Sequence, residues 1–232
     1  MRLLITRPEE DAAPLAQQLE AAGHQCLIEP LLIIDFPEPP VLGLDQVQAV
    51  LLTSANGARA LAKATKRYEL LILAVGEATA AAAREAGFSN IGTAAGDVEA
   101  LIQLVQIMLP QGAPLLHVAG SVTRGRLAER LRELGYDARR EVLYEARAVE
   151  ALSGRAFQAI KQQSLDGVLL FSPRTAKLFV RLLETHGLLQ AIRGVQAYCL
   201  SRAVAEELAG LPFSACHIAE APTQQALIEL IG

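Results

Sequence analysis

The sequence predicts an α/β fold built on parallel sheets, and three observations carry that prediction. Apolar runs of about four to six residues recur along the chain, long enough for strands covered on both faces. Amphipathic stretches of helical length lie between them, and glycines stand just past several of those stretches. In chain order, RLLIT (2–6) is the first strand and PEEDAAPLAQQLEAAG (8–23) the first helix, with Leu15 and Leu19 at i and i+4 on one face. QCLIEPLLI (25–33) and AVLLTS (49–54) read as strands, NGARALAKAT (56–65) as a helix, LLILAVG (70–76) as a strand and EATAAAAREAG (77–87) as an Ala-rich helix. Gly23, Gly87 and Gly135 suit left-handed helix C-caps.

The chain has 232 residues, of which 52% are hydrophobic, 20% charged and 4% aromatic, a globular composition sufficient for one large domain or two smaller ones. The start, MRLLITRPEED, lacks the apolar stretch of a secretory signal, and Glu9, Glu10 and Asp11 disfavour a transit peptide. No apolar run approaches the roughly 20 residues of a membrane span. Cys26, Cys199 and Cys216 have no CxxC spacing and read as buried thiols in a reducing, cytoplasmic setting. A net charge of −4 gives no general attraction to nucleic acid or to an anionic membrane, so any basic site is local.

Four segments of the first half recur in order in the second. LAQQLEAAGHQCLIEPL matches LAERLRELGYDARREVL, placing Gly23 opposite Gly135 at an offset of 112; VLLTSANGA matches VLLFSPRTA, placing Ser54 opposite Ser172 at 118. ILAVGEATAAAA matches AYCLSRAVAEEL at 125, and DVEALIQLV matches TQQALIEL at 126. Duplication explains an offset that drifts only in loops.

Ligands of open α/β sheets bind beyond the carboxyl ends of the strands. Polar residues gather there: Thr6 and Arg7, Thr53 and Ser54, Gly76 to Thr79, Gly96 and Asp97, Ala119 to Thr123, Ser172 to Arg174, Ser201 and Arg202, and Pro222 and Thr223. Taken singly, such residues cap helices by satisfying the N–H groups of the first turn. Taken together, many helix N-termini with free N–H groups, facing one another across two lobes, form a cleft suited to anions. The chain lacks a GxGxxG, a phosphate loop and a GxSxG elbow. Its four histidines, His24, His117, His186 and His217, have no metal-ligand partner at helical spacing.

The segments LLITRPEEDAAPLAQQLEAAGH with the following PLL, LLTSANGA, VGEATA with AGF, LLHVAGSVTRGRLAERLRELGYD, VLYEA, VLLFSPRTA and AEAPTQQAL together resemble the uroporphyrinogen-III synthase family over essentially the full length. The resemblance implies two flavodoxin-like, doubly wound parallel-sheet lobes joined by a two-stranded connection, with the ligand cleft between them. One lobe would be residues 1–35 plus 147–232 and the inserted lobe 36–146, with crossings near Leu32 to Pro40 (FPEPP) and Leu143 to Ala151 (YEARAVEA). The sequence repeats and the lobes are then out of phase.

The implied activity is a cyclising lyase reaction that needs no cofactor or metal. Hydroxymethylbilane, a linear tetrapyrrole with eight carboxylates, loses its terminal hydroxyl as water to give an azafulvene. The azafulvene is attacked at the substituted carbon of the last pyrrole ring, and the spiro intermediate fragments and recloses with that ring inverted. Uncatalysed closure gives the uninverted isomer, so catalysis must steer, which a few kcal/mol suffices to do. Carboxylates want helix-start N–H groups and forked guanidiniums. The binding candidates are therefore Arg7, Thr53, Ser54, Thr79, Arg124, Ser172, Arg174, Ser201 and Thr223. Surface ion pairing is the other use open to the arginines. Tyr144, in VLYEA, aligns with the family's tyrosine on the returning connection and is the catalytic candidate, donating a proton to the departing hydroxyl; packing at a lobe junction is its other reading. The family commonly has Gly and one or two Thr where this chain reads LSRAVA, with Ser201, Ala203 and Val204 in their place. A non-catalytic two-lobed protein that binds an anionic tetrapyrrole is the alternative reading. The expected setting is a cytoplasmic monomer that takes its substrate from the preceding pathway enzyme, without nucleic acid or membrane.

Overall fold

The computed structural model describes residues 1–122 and 126–231. Its first half runs β1 (Arg2–Ile5), α1 (Glu9–Ala21), β2 (Gln25–Ile28), β3 (Leu32–Asp35), β4 (Ala49–Leu52), α2 (Ala55–Ala64), β5 (Leu71–Val75), α3 (Gly76–Glu85), β6 (Asn90–Ala94) and α4 (Val98–Met108). The second half runs β7 (Pro114–Gly120), α5 (Leu127–Glu133), β8 (Asp137–Ala148), α6 (Gly154–Lys161), β9 (Gly167–Leu170), α7 (Pro173–Thr185), β10 (Gln196–Cys199), α8 (Arg202–Glu206), β11 (Ala215–Ile218) and α9 (Gln224–Glu229). The stretch 25–33, read from sequence as one strand, is broken. Pro30 has no N–H for a ladder, and the buried Glu29 carboxylate accepts from Ser153 N at 2.7 Å and Ser153 Oγ at 2.5 Å.

The chain forms two units, Met1–Ile33 with Arg147–Gly232, and Ile34–Ala146. Unit 1 holds a parallel sheet in the order β2-β1-β9-β10-β11. Leu3, Ile5 and Leu169 pack on one of its faces with Leu15 and Leu19 of α1, while Leu4, Val168 and Leu170 pack on the other with Phe179 and Leu182 of α7. Covering both faces is why the strands read as unbroken apolar runs. Cys199 is buried in this sheet, but Cys216 is exposed and Cys26 half-buried, against the expectation of three buried thiols. Both exceptions lie on edge strands, β11 and β2, which have a neighbour on one side only.

Unit 2 holds the order β3-β8-β7-β4-β5-β6, in which every pairing from β8 to β6 is parallel. Val50, Leu52 and Val118 pack with α2 and α3, and Leu51, Leu73 and Leu115 with α4 and α5. The chain leaves unit 1 within β3 and returns within β8, and these two strands are hydrogen-bonded neighbours.

The sheet orders resolve how the duplication is used. Under the sequence offsets β1 and β2 correspond to β7 and β8, and β4, β5 and β6 correspond to β9, β10 and β11. Apart from β3, which adds a sixth strand at the edge of the unit 2 sheet, each sheet therefore joins two strands of one repeat to three of the other, in one and the same spatial order, the flavodoxin-like 2-1-3-4-5. Registers agree as well: Leu3 pairs with Gly167 in unit 1, and Leu115 pairs with Ala49, the residues 112 and 118 positions away, in unit 2. Gly23 and Gly135 end α1 and α5 with φ of +90° and +89°. Among the described residues no helix is long and apolar enough to cross a membrane.

Candidate functional site

In unit 2 the site starts where β4 passes into α2. Ser54 is extended, with φ −157° and ψ 155°, and its Oγ accepts from Gly57 N at 3.2 Å, so the hydroxyl caps the helix as the sequence predicts. The same Oγ lies 2.8 Å from Tyr144 Oη.

Tyr144 reaches this position through a slip in the β7–β8 ladder. Pairing runs in step from Pro114↔Asp137 to Ala119↔Val142, then jumps to Gly120↔Tyr144 and skips Leu143. Alternation along a strand means that a one-residue slip exchanges which side chain meets the neighbour. Leu143 stays in the core, and the phenol lies against Gly120. Ser121 N donates to Tyr144 O at 2.9 Å, and Arg140 Nη2 donates to Gly120 O at 2.7 Å. A Cβ at Gly120 would stand 2.7 Å from Tyr144 Cε2 and 2.8 Å from Cζ, closer than atoms pack, so only glycine fits under this ring.

His117, on β7 opposite Arg140 and Leu51, is buried, and neither ring nitrogen has a hydrogen-bond partner among the described residues. Burial, and then the neighbouring Arg140 charge, push its pKa down to about 4, so the ring is neutral at ordinary pH.

In unit 1, Ser172 has nearly the conformation of Ser54, φ −153° and ψ 152°, and accepts from Thr175 N at 3.1 Å at the start of α7. Its Oγ also lies 2.8 Å from Thr175 Oγ1 on its own helix. Arg7 is held in place: Nη1 donates to Gln224 Oε1 at 2.6 Å, Nη2 is 3.4 Å from Asp11 Oδ2, and the guanidinium lies 4.6 Å from the Phe171 ring centre. Arg174 lines a shallow groove of about 220 Å³ with Ala148, Lys177, Leu178 and Arg181, so three cations of α7 border one depression. Thr223 caps α9 through Ala226 N at 3.2 Å.

The remaining candidates divide. Thr53 is half-buried beside Ser54. Ser201 precedes α8 without a side-chain cap bond. Thr79 lies one turn inside α3 and is 5% exposed, and Val204, its counterpart in the second repeat, is 1% exposed. Both positions face packed interior, so the LSRAVA sequence exchanges Thr for Val at an interior position. Arg124 lies outside the described residues.

Sequence reasoning counted Gly120 among the strand-end residues without seeing its role, and gave no role to Gly57 or Arg140. Gly120 ends an apolar run like many glycines, and only the ladder slip reveals what it admits. Chemically, the arrangement offers one phenol tied to a helix start, and α2 and α7 with first-turn N–H groups that favour anions. Among the described residues no cluster of three His, Cys, Asp or Glu side chains stands ready for a metal.

Known proteins share this sequence pattern and fold. The family model described as uroporphyrinogen-III synthase HemD matches residues 13–229. Among solved structures, uroporphyrinogen-III synthetase from Helicobacter pylori is 20% identical with a TM-score of 0.66, over 100% of this chain and 98% of that one. A mutant uroporphyrinogen III synthase from Thermus thermophilus is also 20% identical, with a TM-score of 0.55, over 100% of this chain and 97% of that one. At such identity the two structures speak for the two-domain α/β fold, and the family match speaks for the family.

Proposed function

Because this chain belongs to the uroporphyrinogen-III synthase family, the cyclising lyases of tetrapyrrole biosynthesis, we propose that it closes hydroxymethylbilane to uroporphyrinogen III, with Tyr144 as the proton donor and helix starts of both units as carboxylate seats. The observation that carries the proposal is the phenol of Tyr144, half-buried at the carboxyl end of the unit 2 sheet and 2.8 Å from the Ser54 cap. A proton at that oxygen is available to a hydroxyl leaving as water. The carbon–oxygen bond breaks, the pyrrole nitrogen gives up its proton, and the azafulvene forms; the released proton restores the phenol. The electrophile is already in the substrate, so the protein need only hold, orient and favour one closure.

The first-turn N–H groups of α2 and α7, the Arg174 groove and Thr53, Ser172, Ser201 and Thr223 are the proposed contacts for the substrate's carboxylates. Arg7, already held by Asp11 and Gln224, contributes a fixed positive edge, Arg124 belongs to the same set by sequence, and Thr79, facing the interior, contributes by packing α3. The protein works as a cytoplasmic monomer that receives its labile substrate from the preceding pathway enzyme. Turnover of freshly prepared hydroxymethylbilane by Tyr144→Phe tests the proton donor. Loss of about 10²-fold in kcat with an unchanged melting temperature is expected; wild-type turnover would remove Tyr144 from the chemistry.

A further inference from the structure

We propose that Ser54 is a positioning residue for Tyr144, donating its hydroxyl proton to the phenol oxygen so that the phenol's own proton is aimed at the departing hydroxyl. The proposal rests on the proton-donor reading of Tyr144 and deepens it.

The duplication supplies the comparison. Ser54 and Ser172 occupy matching places, cap matching helices and share a backbone conformation. At the matching third position of the helix, unit 1 has Thr175, whose hydroxyl engages Ser172 Oγ at 2.8 Å. Unit 2 has Gly57 there, which offers no hydroxyl, and the bond goes instead to Tyr144 at 2.8 Å. A Cβ at Gly57 would meet only ordinary contacts at 3.5 Å, so space does not demand glycine. The exchange of Thr for Gly leaves the second hydrogen bond of one serine, and not of its twin, to a phenol.

The inventory of a hydroxyl, one proton and two lone pairs, leaves the Ser54 proton available for the proposed direction. Gly57 N–H occupies one lone pair of Ser54 Oγ. When Ser54 donates to Tyr144 Oη, a single chain runs from Gly57 N–H through Ser54 O–H and Tyr144 O–H to the leaving oxygen. Each bond polarises the next, and the chain begins at the positive end of α2. As the phenol gives its proton to the departing hydroxyl, the charge left on Oη is met by the Ser54 proton. Gly120 sets the other coordinate: the ring lies against it where no Cβ fits, and Arg140 donates to the Gly120 carbonyl at 2.7 Å.

A double-mutant cycle tests the proposal in the full-length enzyme, with kcat, KM, the solvent deuterium isotope effect on kcat and the melting temperature read for each variant. Ser54→Ala is expected to lower kcat about tenfold, the scale of one hydrogen bond to a developing charge, with little change in KM. Ser54→Thr, which keeps the hydroxyl, restores most of that loss. In the Tyr144→Phe background Ser54→Ala adds little further loss, because its effect passes through the phenol. Ser172→Ala removes an equivalent cap and lowers the melting temperature to a similar degree, and its effect on kcat multiplies with that of Tyr144→Phe. Wild-type kcat in Ser54→Ala, or losses that multiply between Ser54→Ala and Tyr144→Phe, overturn the Ser54 proposal while leaving Tyr144 in place. Wild-type kcat in Tyr144→Phe overturns both, and type I product from the wild-type protein overturns the enzymatic reading itself.

Discussion

Gly120 and His117 sit three residues apart on β7 and make opposite demands on substitution. Gly120→Ala forces a Cβ to within 2.7 Å of the Tyr144 ring, so the ring or the strand must move. We expect a loss of about 1–3 kcal/mol in denaturant unfolding together with reduced kcat. Unchanged values would show that the ring is not held against the strand. His117 is neutral and buried in the folded protein, with its pKa pushed down to about 4 from the usual 6.5. The unfolded chain therefore binds an extra proton between those values. Full stability is present above about pH 6.5, and it declines as pH falls toward 4, by at most a few kcal/mol. Arg140 adds to the penalty for charging the ring and Glu129 relieves part of it. A His117→Leu variant should lose this part of the acid sensitivity, readable as a shallower dependence of the melting temperature between pH 4 and 6.5; an unaltered slope would assign the sensitivity to other groups. At this scale the sequence was partly legible. Ser54 and Ser172 read as caps and are caps, whereas the Gly120–Tyr144 contact depends on a bulge between distant strands, which no local pattern encodes.

Elements were the most legible scale, because burial on both faces leaves an unbroken apolar run and a cap leaves a polar residue at its end. The same pattern does not report everything that ends a strand. Past β2, Pro30 lacks a ladder N–H, which the sequence shows, and the buried Glu29 carboxylate holds Ser153, 124 residues on, which it does not. Central β9 carries its own test, since Gly167 lies beneath Tyr198, with a virtual Cβ 2.7 Å from Cε2 and 3.0 Å from Leu3 Cδ2. Gly167→Ala should destabilise unit 1 by about 1–3 kcal/mol, detectable as an earlier unfolding midpoint in urea. A midpoint equal to wild type would mean that the sheet absorbs the methyl group freely.

The whole molecule is a duplication whose halves have exchanged strands, and that arrangement places equivalent helix starts, Ser54 with α2 and Ser172 with α7, on two separate units. The repeat was visible in the sequence offsets, since residues that pack and cap alike were retained in order. The offsets alone did not carry the exchange, because strand order depends on which repeat each βαβ segment joins; it was expected only through the family resemblance, which implied repeats and lobes out of phase. A substrate with eight carboxylates has enough anionic groups to engage both sets of helix starts. If α7 seats carboxylates, Arg174→Ala raises KM more at low ionic strength than at high, as screening predicts, and a salt-independent change would assign Arg174 a structural role. The central claim is that this protein steers a reactive intermediate that would otherwise close the wrong way. Its most direct measurement is the isomer ratio of the product formed from freshly prepared hydroxymethylbilane. The account predicts predominantly the type III isomer, formed faster than spontaneous closure, and type I isomer at the spontaneous rate would contradict it.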